Sequence, residues 1–322
     1  MTADQPLAVY TDVEDLDPAP GIAALGAAGF EVRRLSPTEQ VTQDAAGCVA
    51  ILNGYTRLSA ETIAALPALR VIALLSAGTD MVDVPAATRA GVWVTNVVDA
   101  ATEDVAAHAW MLALTLLRGL AFYHRLDLAT EWNLRPEPAP RRLSTVRLGL
   151  IGMGRIGAAL ARLANGSVAD IVAYDPNVRS WPDGVRSASF DEVVQTSNVL
   201  SLHLPLTPET THLVNASVLA AMPQDAFLVN VSRGALVDSA ALLAALNAGH
   251  LAGAGLDVLE QEPPDPEDAL LRHPKVWLTP HVGYLSQASA RAYIDVQARN
   301  VVQWATTGRP LSPVNEPAEG HR

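Results

Sequence analysis

The six residues Gly152-Met153-Gly154-Arg155-Ile156-Gly157 give the strongest indication of the fold. It follows the apolar run RLGLI at 147–151 and precedes an Ala/Leu-rich helical pattern at 155–165, so it joins a predicted strand to a predicted helix. In that setting Gly152 allows a tight turn, Gly154 lets the backbone approach a pyrophosphate, and Gly157 lets helix and strand pack closely. The phosphates would then lie at the positive end of the helix. The stretch predicts a dinucleotide-binding fold; the alternative is a glycine turn in an α/β protein that binds no nucleotide.

Asp175 is the residue that favours one dinucleotide over the other. It ends the next predicted strand, eighteen residues after Gly157. A carboxylate at this position accepts hydrogen bonds from both ribose hydroxyls and repels a 2′-phosphate. The sequence therefore favours NAD over NADP, although the nearby Arg179 would weaken that preference.

The alternation of apolar runs and helical patterns extends over the whole chain. Strands are predicted at 7–10, 30–35, 48–52, 70–74, 92–95, 147–151, 170–174, 198–204, 226–231, 253–258 and 276–279. Between the two series lie a helix at 102–124, apolar nearly all round and therefore expected to be buried, and a Pro/Arg-rich stretch at 133–142. A final helix is predicted at 287–306. This order predicts the α/β class with doubly wound parallel sheets, and the 322 residues predict two domains.

Composition excludes several classes of protein. Hydrophobic residues make up 49% of the chain and charged residues 17%, which is enough for large buried cores. The net charge of −12 argues against a nucleic acid or an anionic membrane as partner. The single cysteine, Cys48, excludes an intrachain disulfide and a cysteine-cluster metal site, and it suits the cytoplasm. Lys275 is the only lysine, so no lysine lies in a glycine-rich phosphate loop and a P-loop NTPase is excluded.

Three further segments follow predicted strands: VSRG at 231–234, DVLEQEP at 257–263 and TPHVGY at 279–284. Ligands of open α/β sheets bind beyond the carboxyl ends of the strands, so these loops can converge on one crevice. They supply Arg233, Glu262 and His281. Each alone is ambiguous, because an arginine can cap a helix, a glutamate can be a solvated loop charge and a histidine can belong to the core.

Together the three side chains predict a hydride-transfer site for a 2-oxo or 2-hydroxy acid. An arginine fork binds a carboxylate and polarises the adjacent carbonyl. An imidazole exchanges a proton with the developing alkoxide, and a carboxylate on its other nitrogen holds the ring in position. The histidines outside this set show no metal-ligand spacing, so no metal is expected.

The motifs GMGRIG, LHLPLTPETTHLVN, NVSRGALVD, GLDVLEQEP and TPHVGY, in this order, resemble those of the D-isomer-specific 2-hydroxyacid dehydrogenases. The resemblance implies that Arg233 binds substrate, that Glu262 is the acidic partner and that His281 is the acid/base. It implies that NAD is contacted by Gly152, Gly154, Arg155, Ile156, Gly157, Asp175, His203, Pro205, Thr210, Val231, Ser232 and Asp257. The backbone N–H groups of Ala77 and Gly78 would bind the substrate carboxylate, and Tyr284 would face the substrate.

The resemblance also implies how the chain is organised. A flavodoxin-like substrate-binding domain would consist of residues 1–98 and 286–322, and a Rossmann domain for NAD, residues 99–285, would be inserted in it. Such proteins are usually dimeric through the cofactor domain, which would give the segments 102–124 and 133–142 a role in a homodimer. The glycerate/phosphoglycerate dehydrogenase and C-terminal binding protein branches are the most similar. An NAD-sensing, corepressor-like protein of the second branch is therefore the alternative to an enzyme.

Overall fold

The computed structural model describes residues 5–13, 16–36, 40–137 and 139–317. The chain divides into two compact units, one formed by Met1–Ala100 with Ser286–Arg322 and the other by Ala101–Leu285. Each unit contains a parallel sheet with helices between its strands. The predicted α/β class with two doubly wound domains is therefore confirmed.

The first unit contains a five-stranded parallel sheet in the order β2-β1-β3-β4-β5. Its strands are β1 (Leu7–Tyr10), β2 (Glu31–Arg34), β3 (Ala50–Asn53), β4 (Val71–Leu74) and β5 (Trp93–Thr95). The helices between them are α1 (Ala19–Ala27), α2 (Val41–Asp44), α3 (Ala60–Ala64) and α4 (Val84–Arg89). The strand order reverses between β1 and β3, as in flavodoxin-like sheets.

A C-terminal helix, Gln287–Thr307, completes the first unit and confirms the helix predicted at the end of the sequence. Ser286 and Ser289 form a capping box at its start, and Gly308, with φ 79°, ends it in the left-handed region. The helix is tied to the sheet by Gln297, whose buried amide donates to the carbonyl oxygens of Asn53 at 3.2 Å and Ala73 at 2.9 Å. The carboxyl ends of β3 and β4 are thus held by one side chain.

The second unit contains a seven-stranded parallel sheet in the order β12-β11-β10-β9-β6-β7-β8. Its strands are β6 (Arg147–Ile151), β7 (Asp170–Tyr174), β8 (Val185–Ser187), β9 (Val199–Leu202), β10 (Ala226–Asn230), β11 (Leu251–Leu256) and β12 (Val276–Leu278). Its helices are α5 (Thr102–Leu117), α6 (Leu120–Tyr123), α7 (Arg155–Ala164), α8 (Phe190–Thr196), α9 (Ala216–Ala221) and α10 (Ser239–Asn247), and 3-10 helices occupy Leu143–Thr145, Gly234–Leu236 and Ala269–Arg272. The order reverses between β6 and β9, so the loops after these two strands meet at the switch point where such sheets bind dinucleotides.

The expectation of one buried helix over 102–124 was wrong. Gly119 adopts φ 66°, and this left-handed residue separates α5 from the short α6. Residues such as Ala109 and Leu112 of α5 are buried in the core with α7, whereas Leu120 is 50% exposed. Within the described part of the chain, no helix has the length and apolarity needed to cross a membrane.

Other differences concern the edges of elements. The strand expected at 253–258 lies at Leu251–Leu256, and the one expected at 198–204 ends at Leu202. The edge strand β8 was not predicted, because its three residues VRS lack an apolar run and two of them are exposed. Residues 133–137 and 139–142 contain neither helix nor strand, as predicted for the Pro/Arg-rich stretch.

Candidate active site

The glycine fingerprint forms the turn between β6 and α7. Gly152 has φ 94°, and a Cβ on this residue would overlap the carbonyl oxygen of His203. A Cβ on Gly157 would overlap the carbonyl oxygen of Gly152, so the helix lies directly on the turn. At Gly154, by contrast, no described atom lies within 4 Å of the Cβ position. The backbone is therefore open next to the first turn of α7, where helix N–H groups favour an anion such as a pyrophosphate.

Asp175 lies beside this turn. One carboxylate oxygen, Oδ2, accepts a hydrogen bond from the N–H of Met153 at 2.8 Å, and Oδ1 accepts one from the N–H of Asn177 at 2.8 Å. The negative charge is thus held next to the fingerprint at the end of β7. Arg155, the first residue of α7, and Arg179 are both exposed.

His203, directly after β9, forms the other side of the turn. Its N–H donates to the carbonyl oxygen of Ile151 at 2.7 Å. Its ring is buried, with Nε2 2.8 Å from the Ser201 hydroxyl, while Nδ1 has no hydrogen-bond partner among the described residues. Burial lowers the pKa of His203 to about 4 because the charged ring loses its hydration. The ring is therefore neutral at physiological pH.

The loop after His203 is closed by its own hydrogen bonds. The Thr210 hydroxyl accepts from the N–H of Thr207 at 2.7 Å and donates to the carbonyl oxygen of Pro205 at 2.8 Å. Pro205 and Thr210, both expected to contact the cofactor, therefore belong to one compact turn.

Arg233 is positioned by the residues at the end of β10. The Asn230 side chain accepts from the N–H of Ser232 at 3.0 Å and donates to the carbonyl oxygen of Arg233 at 2.8 Å. The Ser232 hydroxyl donates to the carbonyl oxygen of Leu202 at 2.7 Å, which ties this loop to the end of β9. Gly234 has no room for a side chain because the backbone of Leu259 and Glu260 lies against it. The segment that carries Arg233 thus contacts the segment that carries Glu262.

Glu262 and His281 form a hydrogen-bonded pair. Glu262 Oε2 lies 2.6 Å from His281 Nδ1, and Oε1 accepts from the N–H of Leu259 at 2.9 Å. The carboxylate is therefore anchored to its own loop before it reaches the imidazole. Both side chains are partly exposed, at 36% and 37%. With Nδ1 engaged, Nε2 is the ring nitrogen left for a substrate. The ring of Tyr284 stands edge-on to that of His281, with centroids 6.4 Å apart.

Asp257 uses its carboxylate inside the protein. Oδ1 accepts from the Thr279 hydroxyl at 2.6 Å and from the N–H of Val282 at 3.0 Å, and Oδ2 accepts from the N–H of Gly283 at 2.8 Å. Burial alone would raise the pKa of Asp257, but these hydrogen bonds and the neighbouring His108 outweigh it and lower that pKa. The Asp257 carboxylate thus organises the segment around His281.

Sequence reasoning missed His108 and Thr279. His108 Nε2 lies 2.8 Å from Thr279 Oγ1 and 3.3 Å from Asp257 Oδ1. The only sequence signal was that Thr279 directly precedes the Pro-His pair of the TPHVGY motif. His108 lies on a helix far away along the chain, and no pattern links it to that motif.

The loop with Ala77 and Gly78 belongs to the first unit and follows β4. The carbonyl of Ser76 accepts from the N–H of Val97 at 2.9 Å, and the carbonyl of Ala77 accepts from the Asn96 amide at 2.8 Å. In a trans peptide the N–H points away from the carbonyl of the same plane. These two hydrogen bonds therefore direct the N–H groups of Ala77 and Gly78 away from Val97 and Asn96.

Residues 110–283 match the family described as D-isomer specific 2-hydroxyacid dehydrogenase, NAD binding domain. The glyoxylate reductase of Korarchaeum cryptofilum is 37% identical over 265 residues, which cover 80% of this chain and 80% of that protein.

Two solved structures show the same fold with different cofactors. The NADPH-dependent glyoxylate/hydroxypyruvate reductase of Sinorhizobium meliloti, in complex with NADP and malonate, gives a TM-score of 0.86 at 33% identity, covering 99% of this chain and 100% of that one. The D-lactate dehydrogenase of Aquifex aeolicus, complexed with NAD and lactic acid, gives 0.84 at 27% identity, covering 94% and 96%.

Proposed function

This chain belongs to the D-isomer-specific 2-hydroxyacid dehydrogenases, and from that membership we propose that it interconverts a small 2-oxo acid of the glyoxylate, hydroxypyruvate or pyruvate type and its D-2-hydroxy acid. It is an NAD(P)-dependent oxidoreductase of this family. The observation that carries the proposal is the Glu262–His281 pair, at 2.6 Å, together with the contact between the loop of Glu262 and the segment of Arg233.

Each side chain has a defined task in reduction of the 2-oxo acid. Arg233 binds the substrate carboxylate with its guanidinium fork and polarises the adjacent carbonyl. Protonated His281 gives the proton on Nε2 to the carbonyl oxygen as that oxygen gains negative charge. Glu262, bonded to Nδ1, keeps the ring in this orientation. In the oxidation direction, His281 removes the hydroxyl proton.

The bound dinucleotide supplies or accepts the hydride. The open backbone at Gly154 fits its pyrophosphate, with Gly152, Arg155, Ile156 and Gly157 completing the turn. We propose further contacts from His203, Pro205, Thr210, Val231, Ser232 and the Asp257 segment. Asp175 favours NAD, because its charge repels the 2′-phosphate of NADP.

The first compact unit is proposed to hold the substrate and the second the cofactor. The oriented N–H groups of Ala77 and Gly78 are suited to the substrate carboxylate, and Tyr284, beside His281, to the rest of the substrate. Two backbone donors next to each other form a small anion site.

We propose a homodimer because the segment after α5 exposes several large apolar side chains. Four large apolar residues within 120–134 are exposed: Leu120 at 50%, Leu128 at 54%, Trp132 at 69% and Leu134 at 46%. Apolar side chains concentrated on one segment indicate a protein interface, and a second copy of the chain is the occupant that we propose. The acidic net charge and single cysteine support a cytoplasmic protein without a nucleic acid or membrane partner.

The experiment measures NADH and NADPH oxidation with glyoxylate, hydroxypyruvate and pyruvate. His281→Ala should lower kcat by about 10²–10⁴-fold, the usual contribution of a general acid, while NADH still binds. Arg233→Ala should also raise KM for the acid. His273→Gln, a histidine outside the site, is the matched control. Undiminished turnover in His281→Ala would exclude His281 as the acid/base of the reaction. No turnover with any acid, together with NAD-dependent oligomerisation, would instead favour the corepressor-like alternative.

A further inference from the structure

The backbone that carries His281 is held at several points by one residue. His281 has φ 53°, a conformation that non-glycine residues rarely adopt. Its N–H donates to the carbonyl oxygen of Asp257 at 2.8 Å, and the next two N–H groups, of Val282 and Gly283, donate to the Asp257 carboxylate. The position of the imidazole therefore depends on where the Asp257 side chain lies.

The Asp257 carboxylate is itself fixed by Thr279. Asp257 is 3% exposed, so water cannot supply donors to it. The Thr279 hydroxyl donates to Oδ1 at 2.6 Å, the shortest hydrogen bond that this carboxylate accepts. A hydroxyl has only one proton, so the Thr279 oxygen acts as acceptor towards its other neighbour.

That neighbour is His108, on α5. Its Nε2 lies 2.8 Å from Thr279 Oγ1, and with Thr279 donating to Asp257 the imidazole must donate from Nε2. The same ring packs on Gly283, since a Cβ added there would lie 3.3 Å from His108 Cδ2. His108 thus contacts both ends of the arrangement, the hydroxyl that fixes the carboxylate and the glycine that follows the catalytic segment.

We propose that His108 and Thr279 are positioning residues of the reaction. The hydrogen bonds from His108 to Thr279 and from Thr279 to Asp257 fix the backbone of residues 281–283. That backbone in turn sets the direction in which His281 Nε2 faces the substrate. This inference rests on the proposed acid/base role of His281. The proposed role requires no contact of either residue with the substrate. Hydrogen bonds to a buried carboxylate such as Asp257 hold one conformation, which is lost when a single member of the network is removed.

The test compares variants that remove a hydroxyl or a ring N–H with variants that keep one. Thr279→Val preserves shape and removes the donor to Asp257, whereas Thr279→Ser keeps it. His108→Leu removes the N–H, whereas the amide of His108→Gln replaces it. Thr115→Val, which alters a buried threonine of α5 outside the network, is the matched control.

Thr279→Val and His108→Leu should each lower kcat by about tenfold or more, the scale of a misplaced catalytic group. KM for NADH and the NADH affinity measured by fluorescence should change by less than about twofold, since the network would act on proton transfer. Thr279→Ser, His108→Gln and Thr115→Val should keep most of the wild-type kcat. The double variant Thr279→Val/His108→Leu should lose no more than the worse single one, because both interrupt the same network.

Equal kcat in Thr279→Val and Thr279→Ser, or in His108→Leu and His108→Gln, overturns the inference. If Thr279→Val does not fold, the His108 pair decides alone. If His281→Ala loses turnover while Thr279→Val and His108→Leu both keep the wild-type kcat, the positioning role is excluded and the proposed function is retained. Full turnover in His281→Ala excludes the proposed function itself, regardless of the kcat of Thr279→Val and His108→Leu.

Discussion

His203 predicts a measurable dependence of stability on pH. The ring is buried against the fingerprint turn, and burial lowers its pKa from 6.5 to about 4. In the unfolded chain the ring is hydrated and binds a proton below about pH 6.5, whereas the folded protein excludes that proton until about pH 4. The unfolded state thus binds more protons between these values. The stability due to His203 is therefore full above pH 6.5, falls as pH decreases to about 4, and is constant below that.

The size of this effect follows from the two pKa values. At about pH 5 an unfolded ring with a pKa of 6.5 is almost fully protonated, while a folded ring with a pKa of about 4 is almost fully neutral. The difference corresponds to about 2 kcal/mol in the free energy of unfolding relative to about pH 7.5. The pKa of Asp257 is also lowered and its effect has the same sign, but it falls in a lower pH range: the stability that it contributes is lost only as pH falls below the ordinary aspartate range. It therefore does not contribute over this interval.

The assay is urea unfolding of wild type and His203→Gln, both without cofactor, at about pH 7.5 and pH 5. Glutamine keeps a polar group near Ser201 but does not titrate. Other groups titrate alike in both proteins, so the wild type should lose about 2 kcal/mol more than the variant on acidification. An NMR titration should show no protonation of the His203 ring above about pH 5. Equal pH dependence in the two proteins, or a His203 ring that titrates near pH 6.5, would show that burial does not lower the pKa of this ring.

Two other substitutions have outcomes set by local geometry. Gly157→Ala places a Cβ against the carbonyl of Gly152 and should lower the free energy of unfolding by roughly 1–3 kcal/mol. Gly154→Ala, where the Cβ meets open space, should leave that free energy nearly unchanged and weaken NADH binding, measured by fluorescence; equal destabilisation of the two variants would contradict this. Asp175→Asn keeps an acceptor for Met153 but loses the charge, so the ratio of kcat/KM with NADPH to that with NADH should rise on the order of tenfold. An unchanged ratio would remove the basis for the NAD preference.

The features that sequence revealed are those encoded locally. The fingerprint was visible because the turn at Gly152 and the contact at Gly157 require glycine in a short stretch between a strand and a helix. The Glu262 and His281 residue types were visible because strand ends can be predicted and parallel strands end at one edge of the sheet.

The features that sequence did not reveal depend on distant contacts or on a single backbone angle. The hydrogen bond between His108 and Thr279 joins residues 171 positions apart. Neither residue carries a permanent charge that would point to a functional site. The end of α5 depends on the left-handed conformation of Gly119, whereas the apolar pattern around it continues as if for one helix. The internal hydrogen bonds of Asp257 were not predicted, because their donors, two backbone N–H groups and a hydroxyl, have no sequence pattern.

A crystal structure of the protein with NAD⁺ and oxamate, an unreactive analogue of a 2-oxo acid, would show directly whether Arg233, Glu262 and His281 act together on the substrate. We predict that the Arg233 guanidinium binds the oxamate carboxylate through two hydrogen bonds, and that His281 Nε2 lies about 2.6–3.2 Å from its amide carbonyl oxygen, with Glu262 still on Nδ1. Oxamate bound away from Arg233, or an imidazole turned so that Nε2 faces away from that oxygen, would contradict the account.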